Sequence, residues 1–317
     1  MKIEISDLEK NTYENIKIGS LQNFRENQYD LDKTDTRNRL NELTLKEWIK
    51  KTNSFHIFNK KVPIDSLKIQ HPATFEEELP FYYINFLSKK NDIIFDPFIG
   101  TGTTSIASNL LKRRSIGIEI NKNFIDLARR RFRINGLNLK HHLILEGDCY
   151  SLLKKGEISS LMENIGEKIA FTITSPPYYN ILKSYSNMKD SNSPLYTNYG
   201  DDPKNLENKL DYNQFLEALT EIFKEIYNLM KNRSYLLINV KNYYKKVLYK
   251  DGNKNQEIQF FAWDLAKSIS MTKWIPCCEQ IWAYPNKFLF PFGYPFLYLA
   301  NITHSYNLIF YKNTLKK

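Results

Sequence analysis

The chain of 317 residues is long enough for one large α/β domain with an appendage, or for two modest domains, and either would bury an adequate core. Forty-five lysines and arginines against 35 acidic residues give a formal charge of +10, which favours a polyanionic partner through phosphate neutralisation and counterion release. No run approaches the roughly 18 apolar residues of a membrane span, and MKIEISDLEK lacks the apolar core of a signal peptide. Cys149, Cys277 and Cys278 form no metal-ligand spacing. The expectation is therefore a soluble cytoplasmic protein, with reduced thiols, no metal and no membrane partner.

Residues 1–70 are charged and mixed, with one helix predicted around LTLKEWIKK, and read as a small, mainly helical N-terminal appendage. From about residue 92 short apolar runs alternate with amphipathic segments. DIIFD (92–96), SIGIE (115–119), HLILE (142–146), IAFTIT (169–174) and YLLINV (235–240) read as buried strands, each too short for a helix. TGTTSIASNLLKR, NKNFIDLARRRFRI and DYNQFLEALTEIFKEIYNLMKN have helical spacing between them. In the last of these, Phe215, Leu216, Leu219, Phe223, Ile226, Tyr227 and Met230 share a face. CCEQIWAY and YNLIFYK look like a closing antiparallel pair. This alternation predicts an α/β, doubly wound, mostly parallel sheet, with its ligand at the carboxyl ends of the strands.

Asp96-Pro97-Phe98-Ile99-Gly100-Thr101-Gly102-Thr103-Thr104 stands at the end of the first strong strand and opens a helix. Its glycines let backbone approach a ligand, and the helix start offers unpaired N–H groups. A phosphate-binding fingerprint would want a third glycine where Ser105 stands, so a ligand without phosphates is favoured. Glu119 ends the next strand, where a carboxylate can accept from two ribose hydroxyls. Asp148 ends the third, within reach of an adenine amino group. Each carboxylate alone also reads as a helix cap or a solvated loop end. Three at successive strand ends describe a nucleoside pocket consistent with S-adenosylmethionine.

On these residues the chain resembles the amino-methyltransferases of DNA, the N-4/N-6 DNA methylase family. DPFIGTGTT is similar to that family's cofactor motif, and HPATFEEELP (71–80) to the segment that closes over the cofactor's methionine end. The resemblance covers about 71–312 and departs from the family at Glu76, where a second proline is common, and at Ser305, where an acidic residue is common. It implies a Rossmann-like methyltransferase sheet over 71–317. It assigns Pro72, Phe75, Asp96, Phe98, Gly100, Gly102, Thr103 and Thr104 to the cofactor, with Glu119 on the ribose and Asp148 at the adenine.

The fourth strand runs into Thr174-Ser175-Pro176-Pro177-Tyr178-Tyr179. A base amino nitrogen is a poor nucleophile because its lone pair is delocalised into the ring. The Ser175 hydroxyl and Pro176 carbonyl form an acceptor pair able to hold its hydrogens, and the two prolines, Pro176 and Pro177, fix the backbone. Tyr178 offers a flat face for a base rotated out of the duplex. Alone, Ser-Pro-Pro-Tyr is an ordinary proline turn. Placed at a strand end beside the cofactor pattern, it is read as catalytic. Serine in first position resembles the enzymes that make N4-methylcytosine, so the resemblance implies a DNA cytosine-N4 methyltransferase, nucleoid-associated, with a cognate restriction endonuclease as a candidate partner. The alternatives are an adenine-N6 DNA or RNA-base amino methyltransferase, and a catalytically silent nucleic-acid-binding protein.

Pro276-Cys277 resembles the nucleophile of cytosine-ring-carbon methylases but lies inside a predicted strand, and reads as core. His141-His142 with Cys149 fits no common zinc site. The basic clusters Lys112-Arg113-Arg114 and Arg129-Arg130-Arg131 read as solvated helix faces. Residues 1–70, the loop 180–211 with Lys183, Tyr185, Lys189 and Tyr196, and the segment 285–303 with Phe288, Phe290, Phe292 and Tyr294 are left to face DNA. For the last aromatics, a stacked core is the alternative.

Overall fold

The computed structural model describes residues 32–58, 67, 77–179, 206, 211–248, 254–285, 287–291, 294–295 and 297–314. Pro72, Phe75 and nearly all of the 180–211 loop lie outside them.

The described helices are α1 (Leu45–Lys51), α2 (Glu78–Leu87), α3 (Thr103–Leu110), α4 (Lys122–Ile134), α5 (Cys149–Lys154), α6 (Glu157–Ile165), α7 (Tyr212–Leu229) and α8 (Phe261–Ser270). The strands are β1 (Phe55–Ile57), β2 (Ile93–Asp96), β3 (Arg114–Glu119), β4 (His142–Glu146), β5 (Ile169–Thr174), β6 (Met230–Val240), β7 (Tyr243–Leu248), β8 (Lys254–Gln259), β9 (Ile275–Ala283) and β10 (His304–Tyr311). Eight strands form one sheet in the order β1-β9-β10-β6-β5-β2-β3-β4, and β7 and β8 form a separate hairpin. The pairs β2/β3, β3/β4, β2/β5 and β5/β6 are parallel, whereas β10 runs antiparallel to both β6 and β9. The strand order reverses direction about β2, which leaves a crevice at the carboxyl ends of β2 and β5.

Alternate strand residues feed two cores. Ile93, Phe95, Ile116, Ile118, Leu236 and Ile238 pack in a cluster with the buried faces of α5 to α8. Ile94, Phe171, Ile173, Leu237 and Ile309 pack in a second cluster with α2 and α3. A sheet covered on both faces needs apolar residues at every position, which is why β2 and β5 are buried throughout. In α7 the predicted apolar face is buried at Phe215, Leu219, Phe223, Ile226 and Tyr227, and the buried side also includes Ile222. Met230, predicted on that face, is instead the first residue of β6.

Part of the expected appendage belongs to the sheet. A capping box between Thr44 and Glu47 starts α1, and β1 pairs in parallel with β9 through Phe55↔Ile281 to Ile57↔Ala283. A chain of buried polar bonds ties this edge inward. Gln280 Nε2 donates to the Lys51 and Asn53 carbonyls, the Tyr83 hydroxyl donates to Gln280, Asn307 donates to Tyr83, and Asn239 donates to Asn307.

Two sequence readings are corrected, and one alternative is removed. Arg131 is fully buried, since α4 turns that face onto the loop before α3, and Arg113 is 4% exposed. Neither lies on a solvated face. Cys277 and Cys278 are exposed rather than core, because β1 covers only the last three residues of β9 and leaves its first half open on that side. Phe288, Phe290 and Tyr294 are 85%, 59% and 81% exposed, so they are not stacked in a core.

The approach of loop to strand is tightest at Gly117. Ile99 donates its backbone N–H to Ile118 O at 3.0 Å, and a Cβ on Gly117 would meet Ile99 Cβ at 2.7 Å. We predict that Gly117→Ala destabilises the fold by about 1–3 kcal/mol through overpacking. Urea unfolding would show this as a lower midpoint at unchanged slope.

Candidate active site

Asp96 ends β2 and is 1% exposed. Its Oδ2 accepts from the Thr104 hydroxyl at 2.6 Å, and its Oδ1 accepts from the Thr174 hydroxyl at 2.7 Å and from Phe98 N at 3.1 Å. Burial raises its pKa to about 6, against the lowering effect of those three bonds. One carboxylate thus joins the loop of residues 97–102, the start of α3 and the last residue of β5. Thr174 is a partner that sequence reasoning missed. Its signal was a polar residue ending a wholly apolar-compatible strand just before Ser175.

The loop itself depends on left-handed backbone at Gly100 (φ +52°) and Gly102 (φ +82°). A side chain at Gly102 would also crowd Ala128 Cβ, 3.0 Å from the added carbon. Arg131 locks the far side of this turn. Its Nη1 donates to Thr101 O at 2.9 Å and to Thr103 Oγ1 at 3.0 Å, while its Nη2 pairs with Glu77 Oε1 at 3.1 Å. The hydroxyls of Thr103 and Thr104 are therefore both engaged by protein partners.

Glu119 ends β3 half-buried, with Oε2 accepting from Gly100 N at 3.0 Å and Oε1 from Asn121 N at 2.8 Å. Burial is the main reason its pKa rises to about 7. Asp148 follows β4 and caps α5. Its Oδ2 accepts from Ser151 N at 2.9 Å and from the Ser151 hydroxyl at 2.6 Å. Both bonds fall on one oxygen, which leaves Oδ1 as the acceptor for a ligand.

Ser175, Pro176, Pro177 and Tyr178 continue from β5 at the same edge, with Pro176 buried and the others half-buried. The Tyr178 hydroxyl accepts from Lys241 N at 2.9 Å, and its ring makes T-shaped contacts with Tyr243 and Phe261 at 5.9 and 5.5 Å between centroids. Burial pushes its pKa up, so it is a neutral phenol. Its ring is thereby fixed by three elements beyond its own strand. Lys241 and the β7–β8 hairpin were absent from the sequence reading, because a backbone donor leaves no residue signature.

The donor set fits S-adenosylmethionine in kind. Glu119 and Asp148 offer carboxyl oxygens as acceptors for hydroxyls and amines at two neighbouring strand ends, beside the buried Asp96.

Residues 7–130 match the family model described as N6_N4_Mtase, DNA methylase. The match covers that stretch alone, less than half of the chain. The N4 and N6 branches are not separated by the match. The orphan methyltransferase M.BamHII of Bacillus amyloliquefaciens is 40% identical over 114 residues, 34% of this chain and 40% of that protein. The type II methyltransferase M.HinfI of Haemophilus influenzae is 42% identical over 66 residues, 21% of this chain and 18% of that protein. The chain thus spans less than half the length of either relative. Among solved structures, TrmN from Thermus thermophilus has a TM-score of 0.43 at 9% identity, covering 74% of this chain and 48% of that one.

The raised pKa of Glu119 has a signed consequence for stability. The folded carboxyl takes up a proton near pH 7, and the unfolded one near 4.5. Between those values the folded state binds more protons, so the group's contribution to stability falls as pH rises through the window and is flat above it. Relative to Glu119→Gln, the wild type should lose stability from pH 4.5 to 7, read as diverging urea midpoints. Parallel profiles would contradict the assignment.

Proposed function

We propose that the chain is an S-adenosylmethionine-dependent methyltransferase that acts on DNA, at the exocyclic N4 amine of a cytosine rotated out of the duplex. The observation that carries this reading is the Asp96 junction. The same carboxylate that orders the loop of residues 97–102 is bonded to Thr174, one residue from Ser175. A donor held by that loop and an acceptor held by Ser175-Pro176-Pro177-Tyr178 therefore share a fixed frame.

S-adenosylmethionine supplies an electrophilic methyl group on a sulfonium. Glu119 would accept from its ribose hydroxyls and Asp148 Oδ1 from its adenine amine, with Gly100 and Gly102 letting the backbone come close. Phe98 would line the remainder, and the family resemblance gives the same role to Pro72 and Phe75, which lie outside the described residues. On the other side of the junction, the Ser175 hydroxyl and the Pro176 carbonyl accept the two amino hydrogens of the base. That would draw the nitrogen lone pair out of conjugation and toward the methyl; as the N–C bond forms the S–C bond breaks, a neutral thioether leaves, and the amine gives up one proton to solvent. Tyr178, its hydroxyl already held by Lys241 N, presents its ring to the base. Holding donor and acceptor in line is worth roughly 7–11 kcal/mol, more than any single polar group contributes.

The serine of the tetrapeptide supports cytosine over adenine by resemblance. The exposed aromatics of 285–303 support a nucleic-acid face, since the segment leaves β9 at the same sheet edge as Ser175. Loop 180–211 and residues 1–70 share the reading of the recognition site. A cognate endonuclease and a nucleoid location belong to the same proposal.

The test is Ser175→Ala. Methyl transfer to DNA should fall about a hundredfold, the typical value of one preorganised polar group, while the affinity for S-adenosylmethionine is unchanged. Turnover equal to wild type would remove Ser175 from the mechanism.

A further inference from the structure

The sheet edge away from Ser175 carries a cavity of about 1140 Å³. It is walled by Lys33, Arg37 and Arg39 before α1, by Lys89 after α2, and by Lys231 and Arg233 at the start of β6. Only two acidic residues, Asp35 and Asp92, share the lining. Each is already taken, Asp35 by Arg37 and Asp92 by Lys231, both at 2.6 Å. Lys89 Nζ donates to the Asn38 carbonyl, which leaves its charge uncompensated. Arg39 and Arg233 form no ion pair among the described residues. Cations converging on a concavity repel one another unless an anion fills it.

Arg233 gives a second, independent observation. Its φ of +59° is left-handed, a conformation that glycine adopts freely and a long side chain seldom does, Lys112 being the other such case among the described residues. The backbone is held there by Arg233 N donating to Lys312 O at 2.9 Å. Opposite it the β5/β6 register skips from Ile169↔Met230 to Phe171↔Tyr235, so residues 231–234 bulge out of the ladder. An arginine kept at a strained bulge points to a use for its guanidinium. Aromatic rings complete the wall, with Tyr235 and Tyr311 4.9 Å apart and Trp48 also in the lining.

We propose that this cavity binds a nucleoside phosphate, with the phosphate between Arg39 and Arg233 and the base against the Tyr235 and Tyr311 rings. Guanidinium groups take phosphate oxygens in pairs, and ring faces take any base. The site is distinct from the methyl-acceptor site. The six residues of β5 separate Ser175 from this edge by about 20 Å at ~3.3 Å per residue. The inference stands whether or not the chain methylates DNA.

The ligand is either a free mononucleotide or a nucleotide within a single strand. Equilibrium dialysis with adenosine 5′-monophosphate and fluorescence anisotropy with labelled hexathymidylate separate the two. Both use the full chain saturated with S-adenosylhomocysteine. Binding of the monophosphate identifies a free-nucleotide site, and binding of the oligonucleotide alone identifies a strand site. In either case an Arg39→Ala, Arg233→Asn double variant should bind about tenfold more weakly or worse. Asparagine tolerates the left-handed backbone, and unchanged affinity for S-adenosylhomocysteine reports an intact fold. A wild type that binds neither probe up to millimolar concentration, or a double variant that binds them as the wild type does, overturns the assignment.

Discussion

Asp96 carries a carboxylate shut away from water, and the rest of the site is arranged by the need to satisfy it. An isolated buried carboxylate is costly enough that it would take up a proton instead. Here three donors offset that cost, and each comes from a different part of the chain: Phe98 N from the loop, Thr104 from α3 and Thr174 from β5. The partial compensation is visible in a pKa of about 6, above the ordinary value but still allowing charge at neutral pH. Moving any one donor would leave a buried acceptor short of a partner, so the three segments are fixed relative to one another. That constraint is what makes a proline turn on β5 chemically relevant to a glycine loop on β2.

The remaining supports of the loop follow the same logic of satisfying buried groups. Arg131 reaches from α4 to the Thr101 carbonyl and the Thr103 hydroxyl and is neutralised by Glu77. Because Glu77 immediately precedes α2, this pair also ties the start of that helix to α4. Gly117 lets Ile99 lie directly on β3. Preorganisation of this kind, in which polar groups are aimed before a ligand arrives, is the main means by which a site lacking a strong acid or base accelerates a reaction. The sheet separates two electrostatic environments. Carboxylates gather at the carboxyl ends of β2, β3 and β4, and uncompensated cations gather at the opposite edge.

Much of the sheet was legible because its strands are buried on both faces and leave unbroken apolar runs. HLILE and IAFTIT coincide with β4 and β5 residue for residue, and α7 follows its apolar spacing. What was missed has physical causes. The start of β6 at Met230 is hidden by the charged run of Lys231 to Ser234, which bulges from the ladder and needs no apolar pattern. Three residues suffice for β1, too few for any periodicity. Arg131 and Arg113 look like surface charges in a basic run, and only tertiary contacts reveal the carbonyls and hydroxyls that bury them. The motif residues themselves were readable, since Asp96, Glu119, Asp148 and Ser175 all stand at the carboxyl edge of the sheet. Asp148 shows the limit of that reading, as its one visible engagement is the helix cap that any such aspartate can make.

The measurement that bears most directly on the account is mass analysis of nucleosides from the DNA of a methylation-free host expressing the chain. Amino methylation at a frame set by Asp96 and Ser175 predicts N4-methyldeoxycytidine in wild-type cultures and its loss in Ser175→Ala cultures. N6-methyldeoxyadenosine in its place would keep the amino chemistry and contradict the cytosine assignment. DNA with no methylated amine, from a chain that binds S-adenosylmethionine, would contradict the central claim.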